Sequence, residues 1–256
     1  MAETSGFLNV DGAALAWRRI AGRAPGVVWL GGFHSDMTGT KAQALADWAR
    51  AHGQAYLRFD YFGHGASDGQ FVDGGISRWR GDVLAFLDEM VEGPAVLVGS
   101  SMGGWLACLA ALARPERVCA LVLIAPAADF TGKLLAPGLP PEAREALTRD
   151  GVWTRPSPYD DGGYAISAHL LEDGDRWTIL PGPVAIAAPV RILQGGLDPD
   201  VPWRHALDLA LAIAGKDVVF TLIRDGDHRL SRPADVARLA SILEDALAAA
   251  AANHSF

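Results

Sequence analysis

Short apolar runs alternate with amphipathic segments along most of the 256-residue chain. Wholly apolar runs such as GVVWLGG and AVLVGS are typical of strands that are buried on both faces of a sheet. Segments such as TKAQALADWARAHG and ISRWRGDVLAFLDEM repeat their apolar residues at helical spacing. This alternation predicts an α/β fold in which helices cover both faces of a mostly parallel central sheet.

Two regions depart from the alternation. Near the start, FLNVDGAALAW alternates around Asp11-Gly12, a pair that favours the tight turn of an antiparallel hairpin. From about Ala127 to about Val184, prolines, glycines and short helical pieces replace the regular pattern. This stretch also carries scattered aromatic residues: Trp153, Tyr159, Tyr164 and Trp177. It is too long for an ordinary loop, so we predict a small lid at about 127–184, inserted into a single domain that spans residues 1–256.

The amino-acid composition limits the binding partners and the cellular compartment that we expect for the protein. Half of the residues are apolar, which suffices for one large core, and a net charge of −8 argues against nucleic acid and anionic membranes as partners. No apolar run reaches the roughly 18 residues of a membrane span, and the first residues lack a secretion pattern. Cys108 and Cys119 lie in apolar runs, which predicts buried free thiols. We expect a cytoplasmic protein without a membrane span, and the sequence predicts no oligomeric state.

Two adjacent serines stand between a predicted strand and a predicted helix in VLVGSSMGGWLA. Glycines at positions 99 and 103 make this a G-x-S-x-G motif centred on Ser101, whereas Ser100 has no glycine on either side at that spacing. The motif is typical of a sharp strand-to-helix turn that holds the central serine above the sheet edge. The following helix directs its first N–H groups to the same place, where they stabilise negative charge. We therefore predict that Ser101 is a nucleophile.

A serine nucleophile needs a base, and that base needs an acid to orient it. His228 follows a predicted strand at Val218–Ile223 and precedes the last helix, so it lies where parallel sheets bind their ligands. The other histidines lack that position: His34, His52, His64, His169, His205 and His254. The segment LQGGLDPDVPW also follows a strand and offers two carboxylates. We select Asp198 as the acid and keep Asp200 as the competing choice.

Attack by serine on a carbonyl carbon also needs two backbone donors for the negative oxygen that forms. Met102, the residue after the nucleophile, is predicted to supply one N–H, and Phe33 in the GGF segment after VVWL is predicted to supply the other. Because apolar surface in the lid would enclose an acyl chain, we predict that Trp153 and Tyr164 bind substrate.

Competing motifs are weaker. GGFHSDMTGTKA invites comparison with a phosphate-binding loop, but Thr40 separates Gly39 from Lys41, and Ala42 stands where a metal-binding hydroxyl is required. The chain has no H-E-x-x-H, no C-x-x-C and no histidine pair at helical spacing. We therefore predict neither a metal nor a cofactor.

Several segments together resemble known hydrolases: SDMTGTKA, RFDYFGHGASDG, GSSMGGWLA, ARPERV and DHR. From about Phe7 to about Leu247 the chain resembles the α/β-hydrolase superfamily. Within it, the chain is similar to the branch of mitochondrial palmitoyl-protein thioesterases, also described as acyl-glucuronide esterases, and their bacterial relatives. The resemblance implies an α/β-hydrolase fold and the same three catalytic residues, Ser101, Asp198 and His228.

The chain departs from this branch in two ways. It has no Arg-rich transit segment, and Phe33 stands where the branch carries an aromatic residue with a hydroxyl. We expect a cofactor-independent serine hydrolase of esters and thioesters, of the depalmitoylating acyl-protein thioesterase type. Its substrate would be a small-molecule ester, an acyl thioester or an S-acylated protein. A small-acyl or acyl-glucuronide carboxylesterase and a non-catalytic ligand-binding protein remain alternatives. The acyl length and the leaving group stay open.

Overall fold

The computed structural model describes residues 2–156 and 163–253, so Tyr159 and His254 lie outside the described residues. Strands in these ranges are β1 (Glu3–Val10), β2 (Ala13–Ile20), β3 (Arg23–Leu30), β4 (Gln54–Phe59), β5 (Ala95–Ser100), β6 (Val118–Ile124), β7 (Val152–Arg155), β8 (Tyr164–Ser167), β9 (Val190–Gly195) and β10 (Val218–Ile223). Helices in the same ranges are α1 (Thr40–His52), α2 (Ile76–Met90), α3 (Met102–Ala113), α4 (Pro141–Asp150), α5 (Ala168–Asp175), α6 (Trp203–Ala212) and α7 (Pro233–Asn253).

The central sheet has the strand order β1-β2-β4-β3-β5-β6-β9-β10. Every neighbouring pair from β4 to β10 in this order is parallel, whereas β1 pairs with β2, and β2 with β4, in antiparallel fashion. Asp11 and Gly12 make the turn between β1 and β2 with φ angles of 49° and 82°. Both the mostly parallel sheet and the N-terminal hairpin predicted from the sequence are confirmed.

Successive side chains of the central strands point to opposite faces, and both faces are covered. Leu97 of β5 packs in the same apolar cluster as Trp105 of α3. Its neighbour Val98 packs in a second cluster, together with Leu45 of α1 and Leu243 of α7. A strand enclosed in this way needs apolar residues at every position, which explains the uninterrupted apolar runs. Cys108 and Cys119 are free and buried, as predicted.

Between β6 and β9 the chain leaves the sheet and forms a segment that we call the cap (residues 127–184), where the lid was predicted. The cap contains α4, the antiparallel pair β7–β8 and α5. It has an apolar cluster of its own, formed by Leu135, Leu139, Ala143, Leu147 and Ile166. The cap is therefore packed from within, and does not depend only on its contact with the sheet.

Two carboxylates hold the cap in place, one within the cap and one against the body of the protein. Asp129 accepts hydrogen bonds from the backbone N–H groups of Ile179 and Leu180, at 2.9 and 2.8 Å, and so joins the two ends of the cap. Asp173 accepts the N–H and the hydroxyl of Ser77 in α2. The first carboxylate therefore closes the base of the cap, and the second fastens the cap to α2. In the parts of the chain that the structure describes, no helix is both long and apolar enough to cross a membrane.

Candidate active site

Ser101 lies in the sharp turn between β5 and α3. Its backbone has a φ of 54° and a ψ of −118°, a conformation that residues with a side chain rarely adopt. A Cβ atom at Gly99 would overlap the carbonyl group of Gly103, and one at Gly103 would overlap the carbonyl group of Leu30. The two glycines of the motif are therefore required by the close approach of β5, α3 and β3. Ser100, in contrast, is the last residue of β5 and is buried.

The structure brings together the three side chains predicted to act in catalysis. His228 Nε2 lies 3.2 Å from Ser101 Oγ, and His228 Nδ1 lies 2.8 Å from Asp198 Oδ2. The Asp198 side chain is fully buried, and that of His228 is 17% exposed. These residues follow β5, β9 and β10, so the parallel sheet delivers all three to one edge.

Asp198 is held by a network of donors. Its Oδ1 accepts the N–H groups of Asp200 and Val201 at 2.9 and 2.8 Å, and its Oδ2 accepts Gln194 Nε2 at 3.1 Å. Asp200, the competing choice, thus supplies a backbone donor to the carboxylate that contacts His228. When the Nδ1–H group donates a hydrogen bond to Asp198, the neutral imidazole presents the lone pair of Nε2 to Ser101. This is the arrangement that a base needs.

Asp198, Asp200 and His228 also form a group that could hold a metal ion, with one ligand atom from each within 4.8 Å of the others. However, both oxygens of Asp198 already accept hydrogen bonds, two at each oxygen. A cation at this place would compete with four donors, including the imidazole. The donor set is therefore better suited to orienting His228 than to binding a metal.

The two backbone groups predicted to bind the negative oxygen lie beside Ser101. Met102 is the first residue of α3, and Gly32, which precedes Phe33, is so close that a Cβ there would lie 3.4 Å from Ser101 Cβ. Within residues 2–156 and 163–253, neither Phe33 N–H nor Met102 N–H donates to a backbone carbonyl. Both N–H groups thus belong to residues next to the turn or to its close neighbour Gly32, and their role in catalysis stays a prediction.

Two cavities meet at Ser101. One has a volume of about 250 Å³ and extends beneath the cap; we call it the cap cavity. Its apolar lining comes chiefly from Phe33, Met102, Phe130, Leu134, Leu135, Ile166 and Val201. Because Ser101 and His228 stand at one side of it, an apolar group that fills this cavity can place its carbonyl carbon at the serine.

The other cavity has a volume of about 390 Å³ and lies among the loops at the sheet edge; we call it the loop cavity. Its lining is largely polar and includes His34, Ser35, Asp36, Thr40, Lys41, Arg229 and Ser231. Phe33, Ser101, Tyr164 and His228 line both cavities. The candidate nucleophile therefore lies between a cavity lined in part by apolar cap residues and a cavity lined mainly by polar loop residues.

The two predicted substrate-binding residues fall in different places. Tyr164 lines both cavities, as a substrate contact requires. Trp153 pairs with Ile166 in the β7–β8 ladder and packs against the cap's own cluster. It is not among the described residues that line either cavity. Its predicted contact with an acyl chain stays a prediction, and its packing against the cap cluster indicates a structural role.

Several residues that line the site or contact its side chains were not predicted from the sequence. The sequence analysis did not identify Phe130, Leu134 and Leu135, because their spacing follows an irregular turn of helix, and no periodic pattern marks it. It also missed Gln194, whose amide contacts Asp198, and Lys41, which lines the loop cavity. For Lys41 a signal existed in the segment SDMTGTKA, which carried part of the resemblance to hydrolases and also invited comparison with a phosphate-binding loop, but was given no role at the site.

Comparison with known proteins gives consistent results. Residues 25–156 match the family Hydrolase_4, described as Serine aminopeptidase, S33. The mitochondrial palmitoyl-protein thioesterase ABHD10 of Mus musculus is 40% identical over 232 residues, which are 90% of this chain and 78% of that protein.

Two solved structures are also similar. A putative hydrolase from Agrobacterium vitis S4 has a TM-score of 0.89 at 42% identity, over 96% of this chain and 97% of that one. Mouse α/β-hydrolase domain-containing protein 10 has a TM-score of 0.87 at 39% identity, over 95% of this chain and 98% of that one. The word mitochondrial in the name of the mouse thioesterase applies to that protein, and a cytoplasmic location stays a prediction for this chain.

Proposed function

Since the chain belongs to the Hydrolase_4 family of α/β-hydrolases, we propose that it hydrolyses long-chain acyl thioesters with Ser101 as the nucleophile. One observation carries the proposal: the hydrogen-bonded series Ser101–His228–Asp198 stands at the side of a cavity that apolar side chains of the cap help to line. The printed name of the 40% identical mouse relative, a palmitoyl-protein thioesterase, supports the choice of an acyl thioester. An S-acylated protein is one such substrate.

In the first half of the reaction, Ser101 Oγ attacks the carbonyl carbon of the thioester. His228 Nε2, 3.2 Å away, takes the hydroxyl proton, and Asp198 stabilises the imidazolium that forms. The carbonyl oxygen becomes negative and accepts hydrogen bonds from the N–H groups of Phe33 and Met102. When the tetrahedral intermediate collapses, the C–S bond breaks, and His228 returns the proton to the leaving thiol.

In the second half, water hydrolyses the acyl-serine. His228 takes a proton from water, and the resulting hydroxide adds to the acyl carbon. The C–O bond to Ser101 then breaks, and His228 protonates the serine oxygen while the carboxylic acid leaves. The whole cycle consumes one water, and the residues return to their starting protonation states.

The cap cavity supports an acyl group longer than acetyl. Phe130, Leu134 and Ile166 line it from the cap, and Met102 and Val201 line it from the body. Each methylene that leaves water for such a cavity contributes about 0.8 kcal/mol. If this binding is retained in the transition state, kcat/KM rises by up to about fourfold per enclosed methylene.

A chain-length series on the purified protein tests the proposal. Acetyl, octanoyl and palmitoyl thioesters of one thiol are compared with oxygen esters of the matching alcohol, and kcat/KM is measured for each. We expect kcat/KM to rise with acyl length and thioesters to be preferred over their oxygen counterparts. The Ser101→Ala variant provides the background rate for every substrate.

Two other outcomes would replace the proposal. Faster cleavage of short oxygen esters than of long thioesters would identify a small-acyl carboxylesterase. Binding of acyl compounds without turnover above the Ser101→Ala background would identify a ligand-binding protein. The hydrogen-bonded arrangement of Ser101, His228 and Asp198 favours an enzyme over the second of these.

A further inference from the structure

The proposed reaction makes no use of the polar side chains in the loop cavity, although they lie beside the nucleophile. One wall of this cavity is the segment between β3 and α1, which is held from below by buried charged residues. Asp60 Oδ1 accepts the N–H of Met37 at 2.7 Å, and an Arg58 guanidinium N–H donates to the carbonyl oxygen of the same residue at 3.0 Å. Arg58 is fully buried. The wall is therefore fixed before any ligand arrives.

Lys41, in the first turn of α1, extends its ammonium group along this wall. Its Nζ donates to the carbonyl oxygen of Arg229 and lies 3.5 Å from Ser231 Oγ. An ammonium group has three hydrogens to donate, and in the described residues these are its only hydrogen-bond partners. One N–H of Lys41 thus remains available to an acceptor in the cavity.

Burial lowers the pKa of Lys41 to about 8. Asp227 and Asp235 act in the opposite direction, and the positive charge of Arg229 adds to the decrease. Lys41 therefore carries its charge at neutral pH, in surroundings that solvate that charge poorly. An anion placed against it would replace the missing solvation.

Trp29 also lines this cavity. The residue is 5% exposed, and Ser100 and Ser101 belong to the same lining. Its indole Nε1 is buried and has no hydrogen-bond partner among the described residues. A buried N–H without an acceptor costs free energy, and an oxygen atom bound in the cavity would remove that cost.

The charges of the lining favour one negative charge on the ligand. Lys41 and Arg229 are cationic, and Asp36 is the single carboxylate among the described lining residues. Asp36 Oδ1 already accepts the N–H and the hydroxyl of Thr38, at 2.6 and 2.5 Å. Lys41, Arg229 and Asp36 together therefore contribute one net positive charge to the lining, which favours an anionic ligand.

We propose that the loop cavity is the leaving-group subsite and binds a carboxylate carried by the departing thiol, with Lys41 and Trp29 as donors. This inference rests on the proposed function. An acyl chain in the cap cavity places the carbonyl carbon at Ser101, so the leaving sulfur points toward the other space that Ser101 lines. A leaving group with an acidic arm would reach Lys41 from there.

Two octanoyl thioesters that differ only in that arm test the proposal. One is the thioester of N-acetylcysteine, which has a carboxylate, and the other is that of N-acetylcysteine amide, which is neutral. The measured quantity is the ratio of their kcat/KM values in each variant, since comparison between variants cancels the difference in intrinsic reactivity. We expect Lys41→Gln to lower this ratio by about tenfold, and Trp29→Phe to lower it severalfold, because charged and buried donors are lost. Lys41→Arg should restore part of the ratio.

Lys216 provides the matched control. It is exposed and precedes β10, at the edge of the sheet opposite to His228, so Lys216→Gln should keep the wild-type ratio. A ratio that is the same in wild type and in Lys41→Gln would overturn the proposal. If neither thioester is hydrolysed, binding of free N-acetylcysteine and its amide is measured by calorimetry. Binding that prefers the carboxylate and depends on Lys41 would support the subsite and overturn the proposed function, whereas no such preference would overturn both.

Discussion

The two cavities beside Ser101 are built by different parts of the protein. The cap cavity takes much of its lining from an insertion that has an apolar cluster of its own, is closed at its base by Asp129 and is fastened to the body through Asp173. The loop cavity is formed by segments that join strands of the central sheet, and one of its walls is held by buried Arg58 and Asp60. Under the proposed function, the acyl group and the leaving group would be recognised by different parts of the protein.

This difference has a consequence for variation of the site. Leu134 and other cap residues do not belong to the central sheet. We therefore expect their substitution to change the acyl preference without changing leaving-group recognition. The loop cavity shares its wall with the segment that carries the Phe33 N–H, which is predicted to stabilise the reaction intermediate. Under the proposed function, we expect changes there to alter leaving-group recognition and catalysis together.

The largest effect is expected where the two cavities meet. Ser101→Ala removes the nucleophile, so hydrolysis should fall by a factor on the order of 10⁴ or more for every substrate. Labelling by a fluorophosphonate should disappear as well, and Ser100→Ala serves as the control because Ser100 lies within β5. Labelling that persists in Ser101→Ala would show that the cavities converge on a different nucleophile.

The second-largest effect is expected at Asp198, which orients His228, a residue that lines both cavities. Asp198→Asn should lower kcat by on the order of 10³–10⁴, because an amide at this position favours the wrong imidazole tautomer. Asp200→Asn should cost far less, since Asp200 contacts Asp198 through its backbone N–H. Circular dichroism checks that both variants are folded. A greater loss of kcat in Asp200→Asn would mean that the acid is misassigned.

A pH series distinguishes the contributions of the two cavities to substrate preference. Lys41 is protonated below its pKa of about 8 and becomes neutral above it. The preference for the carboxylate thioester over the neutral one should therefore fall by about tenfold as the pH rises from 7 toward 10. A bound anion favours the charged form, so the midpoint measured by KM should lie at or above 8. The ratio of octanoyl to acetyl turnover, which reports on the cap cavity, should stay constant over the same range.

A smaller effect is expected from trimming the cap cavity. Leu134 lines this cavity and is not part of the cap's own cluster, so Leu134→Ala should lower kcat/KM for octanoyl thioesters several times more than for acetyl thioesters. The melting temperature reports any structural damage and should change little. An equal loss for both acyl lengths would place the acyl chain elsewhere.

The smallest effect on specificity is expected at Trp153. It packs against the cap cluster, so Trp153→Ala should lower the melting temperature by a few degrees and should not change the acyl-length preference. Differential scanning fluorimetry and the octanoyl-to-acetyl ratio measure the two quantities. A selective loss of long-chain turnover at an unchanged melting temperature would indicate that Trp153 contacts the acyl chain.

Local patterns in the sequence determined the scaffold and the position of Ser101. Strands buried on both faces need continuous apolar runs, and amphipathic helices need apolar residues at regular spacing, so both can be recognised without the tertiary structure. The turn at Ser101 depends on the glycines at 99 and 103, two residues away on either side. Such features involve neighbours in sequence, and the alternation of strands and helices was therefore predicted correctly.

The tertiary structure decided which distant residues meet. The choice between Asp198 and Asp200 depends on a contact with a residue 30 positions away, and the contact between His228 and Ser101 spans 127 positions. Trp153 was assigned to the substrate from its type and its segment, but the β7–β8 pairing places it in the cap cluster. The sequence alone assigned no role to Lys41. Only the fold shows that Lys41 and Ser101 line the same cavity. Side-chain partners depend on long-range packing, which no local periodicity records.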